Sequence, residues 1–405
     1  MKNEDMKDYA AWAFAIVAVM ALALLGAVIG GAILGLIIVA VVVVLLFWNE
    51  GRAVKRAHDL EEGAGSVVTV TSDRVDPAME GNLVHLTGET KTPKLLEDPE
   101  FGIAATAIKL IREVEMYQWV EVEKSEEKTS VGGTTETTTT YTYEKEWRDN
   151  PVDSTRFKVT SGHGNPREMK YRSSTLMAEG VTMGAFDLPA FLVSRIGGAT
   201  QLPVETLDKA AEEIKTAARL HESGVYLGAN PGSPAVGDLR ISFLTVPTGP
   251  ISVVAEQAGK SFVSLRTATG GELYLLENGT VSAEDMFRMA HERNKFLTWG
   301  IRVGGFFLLS MAFAMVLRPV AVLASILPFL GRIVGTGTTL IAFLLAGILW
   351  TGTVAVAWVF YRPLVGIAIL LVTLALIVMV AKRFHKPAPA LSTGPPAFDG
   401  PPPIS

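Results

Sequence analysis

Six histidines are the residues of this chain with the widest chemical range, because an imidazole can ligate a metal or act as a general base. No two of them stand four residues apart, and no HExxH pattern is present, so no pair is placed on one helical turn. The chain also lacks cysteine, which excludes a thiolate metal site, a cysteine nucleophile and a disulfide. We therefore expect no metal site and no bound cofactor. The histidines are His58, His85, His163, His221, His291 and His385.

Neighbouring carboxylates are a second source of chemistry, since such pairs can carry out acid–base catalysis. Asp98 and Glu100 form one pair, and Glu126 and Glu127 form another. Acidic residues more commonly lie on solvated surfaces. No GxSxG, Walker or dinucleotide-binding motif accompanies these pairs. The sequence therefore predicts no catalytic residues and a protein that is not an enzyme.

The most informative polar sequence is Asn49-Glu50-Gly51-Arg52, because it directly follows a long apolar stretch. Its simplest interpretation is a helix end that anchors the helix at a membrane surface. A sharper hypothesis is that Glu50 and Arg52 interact with charges beside later apolar stretches and hold the first helix against the others. On that hypothesis, Arg302→Ala should weaken detergent-resistant assembly. The predicted structural membrane-interface cluster consists of Asn49, Glu50, Arg52, Arg302 and Arg362.

A long apolar segment must position this cluster. Residues 10–48 carry no charge, and about 20 apolar residues cross a bilayer core as a helix, so the run suffices for one long helix or two short ones. The glycines of GAVIGGAILG favour close helix packing over a tight turn that splits the run. Residues 1–9 form a polar N-terminus, and the apolar run is too long for a signal peptide. We therefore expect a retained anchor.

Three further spans are expected near the carboxyl end, within residues 296–381. Their approximate limits are 296–317, 333–361 and 364–381, with an interfacial or re-entrant segment at 318–332. The spans contain no Asp or Glu, which argues against a transporter or an ion pathway. The tail at 382–405 is basic at its start and rich in proline, and we expect it to be disordered. Together the segments predict an integral, multi-pass membrane protein.

Residues 49–295 have the composition of a soluble domain and predict mainly strands. Apolar and acidic residues alternate over 114–123, and a second alternating run over 137–147 completes a long hairpin. Ser282 begins a capping box for a helix that leads into the membrane. Further strands are expected at 239–246, 251–256, 262–266 and 272–276, and a helix at 206–222. The predicted fold class is an α+β membrane protein: a multi-span helical bundle with a large β-rich extramembrane domain between the first and later spans, for which tandem OB-like barrels are one arrangement.

The charge of the chain argues against one class of partner but does not determine how the protein is oriented in the membrane. The net charge of -5 and the lack of a Lys/Arg stripe argue against nucleic-acid binding. Basic residues on the two sides of the predicted spans balance. The positive-inside rule therefore leaves open which side of the membrane the large domain faces.

Nine short blocks border the apolar segments or lie between them. They are Phe47-Trp-Asn-Glu-Gly-Arg-Ala-Val54, Leu60-Glu-Glu-Gly-Ala-Gly65, Glu80-Gly-Asn-Leu-Val-His-Leu86, Asp98-Pro-Glu-Phe-Gly102, Val114-Glu-Met-Tyr-Gln-Trp119, His163-Gly-Asn-Pro166, Val236-Gly-Asp-Leu-Arg240, Thr298-Trp-Gly-Ile-Arg302 and Phe360-Tyr-Arg-Pro363. In this order the blocks resemble the LUMA family, also called transmembrane protein 43. The resemblance covers about residues 31–383.

The resemblance implies an endomembrane protein with four spans and one large domain after the first span. In eukaryotic relatives that domain faces the lumen. The eukaryotic protein resides in the endoplasmic reticulum and inner nuclear membrane, where it self-associates and contacts lamins and emerin. The family has no assigned catalytic residues. The anchor is longer here than the family's usual span, and the proline-rich tail is typical of a bacterial member, whose location would be the bacterial inner membrane.

These expectations favour a non-enzymatic membrane scaffold that self-associates and organises protein or lipid assemblies. Its expected partners are membrane lipids and further copies of the chain. The alternative is a lipid-handling or lipid-modifying enzyme with its site where the domain meets the membrane. A lipid-sized groove lined by polar residues would favour the enzyme, whereas a filled interface would favour the scaffold.

Overall fold

The fold is that of a computed structural model, which describes residues 3–129, 135–324 and 331–363 together with Leu371 and Ala375. At 3–29, 127–129, 135–136, 323–324 and 331–336 only the backbone is described. The α-helices are α1 (Asn3–Ser66), α2 (Ala190–Val193), α3 (Glu212–Ala217), α4 (Ala283–Ala324) and α5 (Gly331–Tyr361). Two 3-10 turns occupy Pro77–Met79 and Ser154–Arg156.

The β-strands all lie between α1 and α4. They are β1 (Val68–Thr69), β2 (Leu83–Lys91), β3 (Leu96–Glu97), β4 (Ala104–Ala105), β5 (Lys109–Thr129), β6 (Thr135–Arg148), β7 (Ser174–Met177), β8 (Thr182–Met183), β9 (Phe186–Asp187), β10 (Thr200–Leu202), β11 (Ala218–His221), β12 (Gly224–Leu227), β13 (Leu239–Val246), β14 (Pro250–Ala258), β15 (Ser261–Val263), β16 (Leu265–Arg266), β17 (Glu272–Leu273) and β18 (Leu275–Asn278). The predicted α+β class with a β-rich region between the first and later helices is confirmed.

The first anchor is one continuous helix rather than two short ones. α1 has 64 residues and passes through the glycine-rich sequence without a break. At 1.5 Å per residue its length is about 96 Å, well beyond a bilayer core about 30 Å thick. Gly35 lies against α4, and a Cβ atom there would be 2.7 Å from the carbonyl oxygen of Ala312. The absence of a side chain thus allows the two helices to approach closely, as small residues do in membranes.

Three helices of the described chain are long and apolar enough to cross a membrane. They cover Gly30–Ser66, Ala283–Val322 and Gly337–Tyr361. The predicted fourth span at 364–381 falls almost wholly outside the described residues. In the predicted interfacial segment at 318–332, α4 continues to Ala324 and α5 begins at Gly331. That segment's position relative to a bilayer stays a prediction.

Two seven-stranded sheets form most of the domain, together with the two-stranded sheets β3-β4 and β16-β17. The first has the order β15-β14-β2-β8-β9, with β1 beside β2 and β18 beside β14. The second has the order β11-β12-β13-β5-β6, with β10 beside β13 and β7 beside β5. Both sheets contribute to one buried apolar cluster, with Val84 and Leu86 from the first and Val114 and Phe243 from the second. The domain is therefore stabilised by a core that the two sheets share, and the OB-like assignment stays a prediction.

The hairpin of β5 and β6 extends beyond the sheet that contains it. Within β5, only Lys109–Met116 pairs with β13, whereas the stretch from Met116 to Thr129 pairs with β6. Val114 is fully buried, but Val122 on the same side of the strand is 41% exposed. The alternation predicted from sequence therefore marks a core-facing strand only at its start. Farther out the two strands form a ribbon that leaves the domain.

The helix predicted at 206–222 is mostly wrong. α3 is only 6 residues long, and Ala218–His221 instead forms β11, which pairs with β12. Leu220, which falls within the predicted helix, is 47% exposed. Pairing with a neighbouring strand outweighs local helix propensity here, because that propensity amounts to only a few tenths of a kcal/mol per residue.

The end of α1 is built into the domain. Leu60 is fully buried in a second apolar cluster with Leu273 and Phe287. Asp59 accepts hydrogen bonds from the hydroxyls of Thr267 (2.7 Å) and Thr269 (2.5 Å), in the loop between β16 and β17. α4 begins as predicted, with Ser282 Oγ accepting from the N–H of Asp285 at 3.1 Å. α1 and α4 thus continue without interruption from the membrane part into the domain, where both pack against its strands.

A buried tyrosine in the domain should make the stability of the fold decrease at alkaline pH. The hydroxyl of Tyr226 donates to Asp238 Oδ2 at 2.5 Å, and burial together with this hydrogen bond raises the pKa of Tyr226 above its usual range. Because the folded-state pKa exceeds the unfolded value of about 10, the stabilisation is complete below pH 10 and is lost as the pH rises above it.

In thermal unfolding, Tyr226→Phe should be less stable than the parent chain by about 1 kcal/mol at pH 7. Its stability should fall less than that of the parent chain above about pH 10. Equal slopes in that range would contradict the assignment.

Candidate functional site at the membrane interface

A buried ion pair joins α1 to α4 where the apolar part of α1 ends. Arg302 Nε donates to Glu50 Oε1 at 2.6 Å, and Arg302 Nη2 donates to Glu50 Oε2 at 2.7 Å. Glu50 is 1% exposed and Arg302 is 8% exposed. The pair is bidentate, which is the strongest geometry for a guanidinium and a carboxylate. Because the pair is buried, removal of either side chain would leave the other charge buried without a partner, which strongly destabilises a fold.

Tryptophans of α4 and α5 surround the ion pair. Trp358 Nε1 donates to Glu50 Oε2 at 3.0 Å, and Trp350 Nε1 donates to the backbone carbonyl of Arg302 at 2.9 Å. The guanidinium carbon of Arg302 lies 4.9 Å from the ring centre of Trp299 and 5.6 Å from that of Trp358. These contacts add cation–π attraction and close the pair off from water. Glu50 is thereby bonded to both α4 and α5.

A second polar network lies one helical turn away, on the domain side of the ion pair. Arg52 donates to Asn49 Oδ1, Asn294 Oδ1 and Thr298 Oγ1, each at 3.1 Å. Asn49 Nδ2 donates to the carbonyl of Thr298 at 3.3 Å, and Asn294 Nδ2 donates to the carbonyl of Ala53 at 2.9 Å. Asn49 is fully buried. Neutral groups thus accept from both Nη atoms of Arg52, whereas its buried Nε has no hydrogen-bond partner among the described residues. The network fastens α1 to α4 a second time.

The structure brings four of the five predicted cluster residues together. Asn49, Glu50, Arg52 and Arg302 all lie in the contact between α1 and α4. Arg362 is exposed, and its guanidinium carbon lies 5.9 Å from the ring centre of Trp358. It takes no part in the ion pair, since Arg302 and Trp358 already occupy the oxygens of Glu50.

Gly51 sets the position of the end of α5. A Cβ atom at this residue would lie 2.5 Å from Cζ of Tyr361, a distance that real side chains do not tolerate. The ring centre of Tyr361 also lies 5.2 Å from that of Phe47, one turn earlier on α1. The glycine in the predicted cluster sequence therefore makes room for an aromatic side chain of the neighbouring helix.

Sequence reasoning missed five members of the site: Asn294, Thr298, Trp299, Trp350 and Trp358. A signal was available for α4, because Asn294, Thr298 and Arg302 are spaced four residues apart and so share one face of a helix. That polar stripe enters an otherwise apolar segment. No comparable signal identified the tryptophans, since aromatic residues are common at the ends of membrane helices.

The carboxylate pairs considered from sequence have structural partners. Asp98 is buried, and both its oxygens accept from Arg112 Nη1, at 3.0 and 2.9 Å. Glu100 also pairs with Arg112, from a more exposed position. Glu126 forms an exposed ion pair with Lys124, whereas the side chain of Glu127 lies outside the described residues. These contacts stabilise turns and surfaces.

The histidines are dispersed in the structure as they are in sequence. His85 is buried, with Nε2 at 2.9 Å from the carbonyl of Val281 and Nδ1 at 3.3 Å from the hydroxyl of Thr69. His163 stacks on Tyr143 with ring centres 3.9 Å apart. Among the residues whose side chains are described, no group of three or more His, Asp or Glu could hold a metal ion. His385 lies outside them.

A groove lies beside the second network, between α1, α4 and the base of the domain. Its volume is about 540 Å³. Its lining includes Arg52 and Asn294 of the second network, and Trp48, Leu297 and Tyr361 of the membrane helices. The contact between domain and bundle is therefore filled at the ion pair and open next to it.

Comparisons with known proteins agree with these features. A profile of the family described as Transmembrane protein 43 matches residues 116–363. Transmembrane protein 43 of Mus musculus and that of Homo sapiens are each 37% identical to the chain over 358 residues, covering 86% of this chain and 88% of the relative. The Transmembrane protein 43 homolog of Drosophila melanogaster is 33% identical over 339 residues, covering 80% of this chain and 87% of the relative. No solved structure shows a significant match.

Proposed function

The chain belongs to the transmembrane protein 43 family of integral membrane proteins, and we propose that it acts as a non-enzymatic scaffold that self-associates and organises protein or lipid assemblies at the membrane. The observation that carries this proposal is the double attachment of the domain. α1 and α4 each run from the membrane part into the domain, and both are fastened to one another on the way.

The attachment gives the domain a defined position relative to the bilayer. At the membrane level the Glu50–Arg302 pair ties the helices together, and at the domain level Leu60 of α1 and Phe287 of α4 share one buried cluster. A scaffold requires such a fixed arrangement, because partners that bind a freely swinging domain would not be held in a common geometry. Enzymes, in contrast, commonly build their sites on mobile loops.

A lipid-modifying enzyme is the second candidate, and the groove at the domain base favours it. Its most buried carboxylate, Asp59, already accepts hydrogen bonds from two threonine hydroxyls and is 5% exposed. Glu277 in the same groove pairs with Arg293 at 2.9 Å. Carboxylates engaged in this way are poor general bases. We therefore prefer the scaffold and treat the groove as a binding feature.

The scaffold proposal can be tested by counting how many copies of the chain associate in native membranes. The full chain should be extracted into polymer nanodiscs with its own lipids and weighed by mass photometry, and we expect discs that contain more than one copy. Arg302→Ala should lower the multimer fraction, because it loosens the contact between α1 and α4. Arg288→Ala is the matched control, since this arginine of the same helix is exposed and should leave the fraction unchanged.

Two results would overturn the proposal. One is a single copy per disc at every protein concentration. The other is conversion of added membrane lipids by the purified chain, followed by mass spectrometry. Lipid conversion that disappears when groove residues are changed would establish the enzymatic alternative.

A further inference from the structure

We propose that the groove at the base of the domain binds the phosphate-bearing headgroup of an anionic membrane lipid. The inference is independent of the scaffold role, because it concerns one ligand site and would hold for a single copy of the chain. It rests on the groove's charge, on the partners already held by two of its three carboxylates, and on its depth relative to the membrane.

Positive charge predominates in the groove. Five cationic side chains line it, and three carboxylates accompany them. Of the carboxylates, Asp59 is bonded to threonines and Glu277 to Arg293. The cations are Arg52, Lys55, Arg56, Arg195 and Arg293, and those other than Arg293 form no ion pair with a carboxylate among the described residues.

The cations are close enough to repel one another. Arg56 is repelled by both Arg195 and Arg293 and attracted by Asp59, whose effect is larger than that of either arginine alone. Arg56 Nη1 donates to the carbonyl of Glu272 at 3.1 Å, which holds the guanidinium at the groove wall. An arrangement of like charges of this kind is stabilised by a bound anion, because the anion converts repulsion into attraction.

The membrane-facing side of the groove indicates that the anion belongs to a lipid. Trp48 is 55% exposed and Leu297 is 48% exposed, and both line the groove together with Tyr361. Trp48 ends the apolar run of α1, and Tyr361 ends α5, so these aromatics stand at the membrane–water boundary. Lipid phosphates lie at this level. Basic pockets next to membrane helices bind anionic headgroups in this manner.

The proposal can be tested by measuring which lipids the full chain prefers in nanodiscs. Thermal unfolding should be compared in discs of phosphatidylcholine with and without phosphatidylglycerol, and native mass spectrometry should count retained phosphatidylglycerol. We expect the anionic lipid to raise the unfolding temperature and to remain bound. Added salt should weaken the effect.

Two exposed cations can be changed without disturbing the ion pair or the polar network. Lys55→Gln with Arg195→Gln should weaken retention of phosphatidylglycerol about fivefold for each side chain, the ratio that corresponds to about 1 kcal/mol per basic residue near an anionic membrane. The matched control is Lys295→Gln with Arg266→Gln, which removes the same two residue types from exposed positions that do not line the groove. Its retention should stay within about twofold of the parent chain, a small fraction of the loss expected in the groove variant.

The outcomes separate the proposal from its competitors. Equal losses in the groove and control variants would mean general surface charge and would overturn the site. Inorganic phosphate that stabilises the chain in lipid-free micelles, with no preference for phosphatidylglycerol in discs, would assign the groove to a soluble phosphate instead. Neither result would alter the copy number that tests the scaffold, so the two proposals fail separately.

Discussion

Replacing Glu50 by leucine should lower the free energy of unfolding of the membrane part by about 3–5 kcal/mol, because it leaves the guanidinium of Arg302 buried without its carboxylate. Arg302→Met should have an effect of similar size, since it leaves the carboxylate of Glu50 buried. The measurement is equilibrium unfolding in mixed micelles with increasing sodium dodecyl sulfate. Tryptophan fluorescence is a direct readout, because Trp299 and Trp358 contact the pair.

The double variant is the control that isolates the pair. Glu50→Leu combined with Arg302→Met replaces two charges by apolar side chains of similar volume, and such replacements are often neutral or stabilising. We therefore expect the double variant to be more stable than either single variant. Losses that simply add in the double variant would show that the two side chains act independently, and the pairing would then contribute nothing to helix contact.

Replacing Asp98 by alanine should destabilise the domain by about 3–4 kcal/mol, the second large effect that the structure predicts. The carboxylate accepts from Arg112 Nη1 and also from the backbone N–H groups of Glu100 (3.1 Å) and Phe101 (3.0 Å). Its removal leaves buried donors without acceptors, and Arg112 without its buried counter-ion. Thermal unfolding of the full chain, followed by near-ultraviolet circular dichroism, would measure the loss.

Glu100→Ala is the matched control for this prediction. Glu100 pairs with the same guanidinium, but 45% of its side chain is exposed, against 3% for Asp98. Exposed ion pairs contribute at most about 1 kcal/mol, so the loss should be several times smaller. Similar losses for the two variants would show that burial does not decide the strength of these contacts.

Features that depend on local pattern could be predicted from the sequence. Apolar length identified the membrane helices, and alternation identified β5 and β6. The serine at position 282 marked the start of α4, because a hydroxyl followed by an acidic residue three positions later satisfies the exposed N–H groups of a helix. Each of these signals is contained within one element.

Features that depend on the relative rotation of distant elements could not be predicted in the same way. The sequence indicated that Glu50 would meet an arginine, but both Arg302 and Arg362 satisfied that requirement. The choice depends on which face α4 and α5 present to α1, and side-chain packing along their whole length decides this. The shared core of the two sheets and the conversion of 218–221 into a strand likewise depend on partners far away in the chain.

The uninterrupted course of α1 from the membrane into the domain makes bilayer thickness a variable that acts on the domain. A helix adapts to a thinner or thicker bilayer by changing its tilt. About 27 Å of α1 lies beyond Trp48, at 1.5 Å per residue. A tilt change of about 10°, well within the range that membrane helices adopt, would therefore displace the domain end of α1 by about 5 Å. Asp59 and Leu60 of α1 are buried against the domain, so that displacement would move the domain as a rigid body. The rotation would be centred where α1 leaves the lipid surface.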